Sequence, residues 1–275
     1  MKIKQYFFAI AIIALAISFN SCKKSDVKDE METTFELSGN QAIADNLTQD
    51  ADDVFMEIAQ DNNVAGNFAP QPVENIIPCA TITITPASGF PKTIVIDFGT
   101  SCTHNGITRS GKINIVLTDS VRRPGSTATM TFTNYFVNLY KVEGTITWTN
   151  TSTPGTRSWT RNTQNGKITA PDGRYWLHNG TRYVVQTAGV NTATILDDVF
   201  SITGNHSVTN AAGATRDCTV LEALQKKTIC ANIDKGKLKV QGPNHYAVID
   251  FGDGTCDNLA TISIDGRAPR TIILR

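Results

Sequence analysis

Between Asp29 and Pro91 the chain has no lysine and no arginine, while the same stretch holds 11 aspartates and glutamates. From Lys92 to Arg275 the balance reverses, with 20 basic residues against 13 acidic ones. A front of about −11 joined to a body of about +7 predicts an intramolecular match, an acidic helix lying on a basic β body. The alternative is a basic surface left free for an acidic ligand. The sums nearly cancel over the chain, so overall charge gives no argument for nucleic acid. Long apolar runs are also missing. The longest, Tyr6 to Phe19, has 14 residues interrupted only by Ser18, short of the roughly 20 a bilayer-spanning helix needs. Missing too are C-x-x-C and H-x-x-x-H pairs, G-x-S-x-G, H-E-x-x-H and a phosphate loop. The usual signatures of zinc sites, serine hydrolases and nucleotide binders are therefore absent, and no cofactor is expected. Carboxylate pairs of glycosidases have no short signature. In the body, Asp197-Asp198 is the one adjacent acidic pair, and a turn would use it equally well.

What is present begins with an export signal. Lys2 and Lys4 precede the apolar run, and Ser21-Cys22 follows it, the layout of a signal peptide over residues 1–21. Ser21-Cys22 resembles the lipobox of lipoproteins, with Phe19 and Asn20 where Leu and Ala or Ser are commoner. This implies lipidation of Cys22 and a membrane partner, because two or more acyl chains hold a protein stably on a bilayer. Residues 22–36 are polar and read as a flexible tether. Residues 37–78 read as an acidic amphipathic helix and a Pro-rich linker. Ile43, Ala44, Leu47, Ala51, Val54, Phe55, Ile58 and Ala59 form its apolar stripe, with Asp45, Asp50, Asp52, Asp53 and Glu57 on the other face.

Residues 79–275 read as a Thr-rich β body. The chain has 36 threonines, which suit pleated strands, and apolar residues alternate along Ile94-Ile96-Phe98, Ile113-Ile115-Leu117, Met130-Phe132 and Ile146-Trp148. Asn105-Gly106, Asn165-Gly166, Asn179-Gly180, Asp172-Gly173 and Asp265-Gly266 are hairpin signals, since a type I′ turn needs positive φ at both centres. The fold class is mainly β, an antiparallel meander of about fifteen short strands forming a sandwich or open barrel. Ile96-Asp97-Phe98-Gly99 is echoed by Ile249-Asp250-Phe251-Gly252, each preceded and followed by a cysteine, which suggests related hairpin units at 79–118 and 230–274.

Export permits disulfides. Cys230 and Cys256 lie 13 residues either side of the turn at Pro243, and Cys79 and Cys102 centre on the turn Pro86–Pro91. Both pairs should face across their hairpins, leaving Cys218 as a buried free thiol. Asp250, Asp253 and Asp257 are candidate Ca²⁺ ligands, though that ion takes six to eight oxygens and turn-forming aspartate is the competing reading. Asp250-Phe251-Gly252-Asp253-Gly254 resembles a signature of PKD domains over those five residues only, a shared turn. Arg157, Trp159 and Arg161 share one strand face, as do Arg174, Trp176 and His178. Such faces stack on sugars or anions; alternatively the tryptophans are core and the arginines snorkel.

With Cys22, Tyr135-Phe136-Val137, Val142-Glu143-Gly144-Thr145 and the closing Asp250-Phe251-Gly252-Asp253-Gly254-Thr255-Cys256-Asp257-Asn258, the chain resembles a group of uncharacterised Bacteroidota lipoproteins over most of residues 79–275. The resemblance implies fold and location, a cell envelope protein lipid-anchored in the outer membrane, and no activity. A non-enzymatic binding or structural protein with a glycan or surface protein as partner is expected. The alternative is a glycan-binding or glycan-hydrolysing protein.

Overall fold

A computed structural model describes residues 23–59, 77–192 and 194–274, and for 23–28 the helical backbone only. One helix, α1 (Lys23–Ile58), precedes the strands β1 (Thr81–Thr85), β2 (Lys92–Asp97), β3 (Cys102–His104), β4 (Ile107–Leu117), β5 (Thr127–Val137), β6 (Tyr140–Asn150) and β7 (Ser158–Thr169). There follow β8 (Tyr175–Ala188), β9 (Val199–Asn210), β10 (Thr215–Lys227), β11 (Lys235–Gln241), β12 (Tyr246–Asp253), β13 (Leu259–Ile264) and β14 (Arg270–Ile273). All form one antiparallel sheet in chain order, with β3 branching off to pair β4 beside β2. The sheet is not closed into a barrel, and β1 and β14 are its two edges. Of the two expected forms, this is the open one.

The sheet rolls around the helix. Residues 45–53 of α1 bond to β4, β5, β6, β7, β8 and β10, which a flat sheet could not bring to one short stretch. Alternation decides which side faces in: Ile94, Ile113, Ile115, Met130, Ile146, Trp148, Ile249 and Ile262 are buried, while the intervening threonines lie outside. Each fully buried Ile or Leu contributes about 1.5–3 kcal/mol.

The charge match is intramolecular. The Arg109 guanidinium donates to both oxygens of Asp50 at 2.9 and 2.7 Å, and Tyr135 Oη adds a bond at 3.2 Å. Arg182 Nη2 lies 2.8 Å from each Asp45 oxygen. Arg161 pairs with Asp52, whose other oxygen accepts from Trp148 Nε1 at 2.7 Å. Lys226 Nζ meets Asp53 at 2.9 Å. Yet α1 does not lie on the body with one wet face. Asp45, Asp50 and Asp52 are as buried as Leu47 and Phe55, so the helix is enclosed and its polar face is satisfied by cations from separate strands. Such pairs are weak evidence for net stability. Together they fix how the helix is rotated and how far it is inserted.

The tether expected at 22–36 is corrected over its described part. α1 starts at Lys23, because the residues after it find partners. Glu30 meets Arg216 at 3.3 Å and His245 at 3.4 Å, Thr34 Oγ1 accepts from Arg216 Nε at 2.9 Å, and Arg270 lies over the Phe35 ring. Met31 and Phe35 extend the apolar stripe. Cys22, the 1–21 signal and the Pro-rich stretch 60–76 lie outside the described residues.

Two hairpin signals are also corrected. Asn105-Gly106 joins β3 to β4 as expected, but Asn165-Gly166 lies inside β7 and Asn179-Gly180 inside β8, so the strands are longer and fewer than the turn count implied. These glycines serve close approach. A Cβ on Gly166 would sit 2.4 Å from His178 O, and one on Gly180 2.3 Å from Asn205 O. The space they leave holds the stacked rings of His178 and His206, 6.4 Å apart. Burial pushes His178 down to about 4 and His206 well below its ordinary value, so both are neutral inside the roll.

Both expected disulfides are present. Cys79–Cys102 ties the β1–β2 hairpin to the start of β3, and Cys230–Cys256 spans the β11–β12 hairpin. The two units sit at opposite ends of the sheet.

Candidate functional site

At the C-terminal end of α1 the roll opens into a pocket of about 340 Å³. Its floor is built by parity. Trp148 near the end of β6 and Trp159 near the start of β7 both point inward, and they stack with ring centroids 4.7 Å apart. Phe55, in the last turn of α1, meets Trp148 edge-on at 5.3 Å, and Phe200 of β9 meets Trp159 at 5.4 Å. Leu117, Ala128, Met56 and Ala59 complete the apolar wall. Residues from the connections 118–126, 151–157 and 189–198 form the rim.

The rim is polar. Arg122 and Arg157 both line it, and burial together with the nearby charge of Arg157 holds Arg122 below the ordinary arginine value. Asp198, from the acidic pair noted in the sequence, is the one carboxylate in the described lining. It accepts from Gln186 Nε2 at 2.8 Å, and burial, then its neighbour Asp197, pushes it up to about 6. Apolar floor, a few convergent polar groups and a perturbed carboxyl are what a small-molecule site offers.

Of the predicted binding faces, the structure keeps the alternation and reverses the side. Trp159 and Trp176 are 8% and 2% exposed, and Arg161 is sealed against Asp52. These residues face the interior, so they form no open sugar-stacking surface. Arg174 stays outside and pairs with Asp172 at 2.7 Å. Only Arg157 and Trp159 of the five reach the pocket. The strand alternation put Trp148 on one face with Ile146, and Trp159 on one face with Arg157 and Arg161, without telling which side is the core. Arg122, Gln186 and Phe55 carried no signal of a site, since loop arginines and helix phenylalanines are common and only the rolled sheet brings them together.

Asp250, Asp253 and Asp257 each cap a local turn, accepting from the N–H of Gly252, Thr255 and Leu259 respectively. This is the turn-forming role. Among the described residues the cluster with metal-ligand spacing is Cys230, Asp234 and Cys256, and its two sulfurs are bonded to each other.

Cys218 is free and buried, and burial pushes its thiol up. A thiolate is the reactive form, so this cysteine is inert in the fold. With Cys22 replaced by serine and without reductant, an alkylating reagent should leave the native chain unlabelled and add one label after denaturation, read by mass spectrometry. Labelling of Cys218 in the native state would contradict its burial.

Comparison with protein-family models, with curated proteins and with solved structures finds no match to this chain. The site therefore has to be read from its own geometry.

Proposed function

We propose that this chain is a lipid-anchored protein of the cell envelope, held at the outer membrane through Cys22, with a non-enzymatic binding role exercised by the aromatic pocket. The pocket carries the binding half of the proposal: an apolar floor behind a charged rim, at the end of the roll where α1 stops. The anchoring half rests on the apolar run Tyr6–Phe19 followed by Cys22, and on the resemblance to Bacteroidota lipoproteins. α1 runs from Lys23 to Ile58, and at 1.5 Å of rise per residue the pocket at Phe55 lies about 48 Å along the helix from Lys23.

The glycan-hydrolase alternative finds less support. Its tryptophan faces are turned inward, and the described pocket lining offers one carboxylate where glycoside hydrolysis ordinarily takes two.

Each half has its own test. Replacing Cys22 with Ser should move the protein from the membrane to the soluble fraction, since one substitution removes every acyl chain. Continued membrane fractionation would reject lipid anchoring. For the pocket, the full chain carrying Cys22→Ser, free of detergent, should enhance the fluorescence of the neutral probe N-phenyl-1-naphthylamine. Adding Val121→Trp, which fills the cavity from the rim, should abolish that enhancement. An unchanged signal in the filled variant would reject the site.

A further inference from the structure

The two disulfides are alike in burial and unlike in surroundings. Each joins one buried cysteine, Cys102 or Cys230, to one exposed cysteine, Cys79 or Cys256. At the first bridge the polar contact is Cys79 Sγ to Thr103 O at 3.8 Å, and among the described residues no charged group bonds to either sulfur. At the second, the buried carboxylate of Asp234 places Oδ2 at 3.2 Å from Cys230 Sγ. Lys227 Nζ stands 3.5 Å from the same oxygen and donates to Gly254 O at 2.5 Å. Gln225 Nε2 donates to the other oxygen at 3.0 Å. Both sulfurs and an oxygen of Asp234 lie within 4.8 Å of one another.

A disulfide sulfur has no hydrogen to give, whereas a thiol does. The contact of Asp234 with Cys230 is therefore a charge-assisted hydrogen bond only when Cys230 is a thiol. In the disulfide the same oxygen faces a sulfur that donates nothing. An interaction gained on reduction stabilises the dithiol, and a pair with a stabilised dithiol is the stronger oxidant. Exposure decides which sulfur an incoming thiolate meets. Cys256 is open to solvent, so Cys230 is the leaving group, and Lys227 with Asp234 gives that group a source of protons.

We propose that Cys230–Cys256 is a redox-active disulfide that takes two electrons from an external dithiol, while Cys79–Cys102 is a structural bridge. One thiolate of the dithiol attacks Cys256 Sγ and the bond between the two cysteine sulfurs breaks. Its electron pair goes to Cys230 Sγ, which takes a proton from Lys227 by way of Asp234, and solvent reprotonates Lys227. The second thiolate then attacks the mixed disulfide. The external pair leaves as a disulfide, and solvent protonates Cys256. None of these residues lines the aromatic pocket, so the two sites stand or fall separately.

The full chain carrying Cys22→Ser is equilibrated at neutral pH in mixtures of reduced and oxidised dithiothreitol, quenched with acid, alkylated and mapped by mass spectrometry, which reads both bridges in one sample. Cys230–Cys256 should be half reduced at a ratio of reduced to oxidised dithiothreitol about tenfold lower than Cys79–Cys102, a gap of about 30 mV. Asp234→Asn should close most of that gap by moving the second bridge alone. Lys227→Gln, at a half-buried position, should slow reduction of Cys230–Cys256 about tenfold and leave the rate at Cys79–Cys102 as in the parent. Equal midpoints for the two bridges in the parent, or an Asp234→Asn variant that keeps the gap, overturn the redox role. A Lys227→Gln variant reduced as fast as the parent overturns the proton route. The comparison of the two bridges in the parent decides the matter even where a variant fails to fold.

Discussion

Replacing Arg161 with Leu is expected to destabilise the fold by about 3–5 kcal/mol at pH 8, and by clearly less at pH 5. Arg161 is 1% exposed and pairs with Asp52, and also donates to Gln49 Oε1 at 3.0 Å. Without it Asp52 retains the Trp148 N–H and no cation in contact. Burial already pushes Asp52 up to about 6, against the opposing pull of Arg161 and Trp148. Because the folded pKa is raised, protonation favours the folded state. The contribution of Asp52 is present in full below about pH 3.8 and is lost as pH rises through 6. Removing Arg161 raises that pKa further, so the penalty of the variant grows with pH and shrinks once Asp52 takes up a proton. Asp52→Asn together with Arg161→Leu should recover most of the loss at pH 8. Urea unfolding of the parent and the two variants at the two pH values measures this. A pH-independent loss, or a double variant no better than the single, would show that the pair does not act through charge.

Phe55→Ala should cost about 3–5 kcal/mol. The ring is fully buried, packs against Trp148 and forms part of the pocket wall. Its loss enlarges the cavity into the core, where the rigid rolled sheet has little room to collapse. For a domain of this size the melting temperature should fall by about 10 °C. The same variant should bind N-phenyl-1-naphthylamine more readily, since the added space is apolar. A melting temperature within a degree or two of the parent would place the end of α1 outside the core.

These two residues show where sequence reading succeeds and where it stops. The β class, the meander order and both disulfides follow from local rules: threonine alternation, turn residues and cysteines equidistant from a turn. The charge reversal at Lys92 announced that α1 and the body belong together. It did not announce enclosure. An acidic face is the ordinary mark of a wet helix surface, and only the inward arginines and lysine on β4, β7, β8 and β10 make it an interior one. Arg161 was visible as a neighbour of Trp159 on one strand face, yet strand periodicity gives the face and not which side is the core. The longer strands were hidden for a related reason. Asn-Gly reads as a hairpin turn, and in β7 and β8 it marks instead a place where adjacent backbones must come close. The pocket rim was the least legible, because Arg122, Arg157 and Asp198 come from separate loops whose meeting depends on the curl of the whole sheet.

The enclosure of α1 also sets an order of events. The helix is made first, but Asp45 finds Arg182 137 residues later and Glu30 finds Arg216 186 residues later. Contacts of such sequence separation form slowly, since the intervening chain must be closed into a loop first. Until the strands that carry these arginines are made, the segment that becomes the centre of the core waits in water. A conventional apolar core helix would aggregate over that interval. The acids that the arginines and lysine neutralise in the finished fold keep this helix soluble until they arrive.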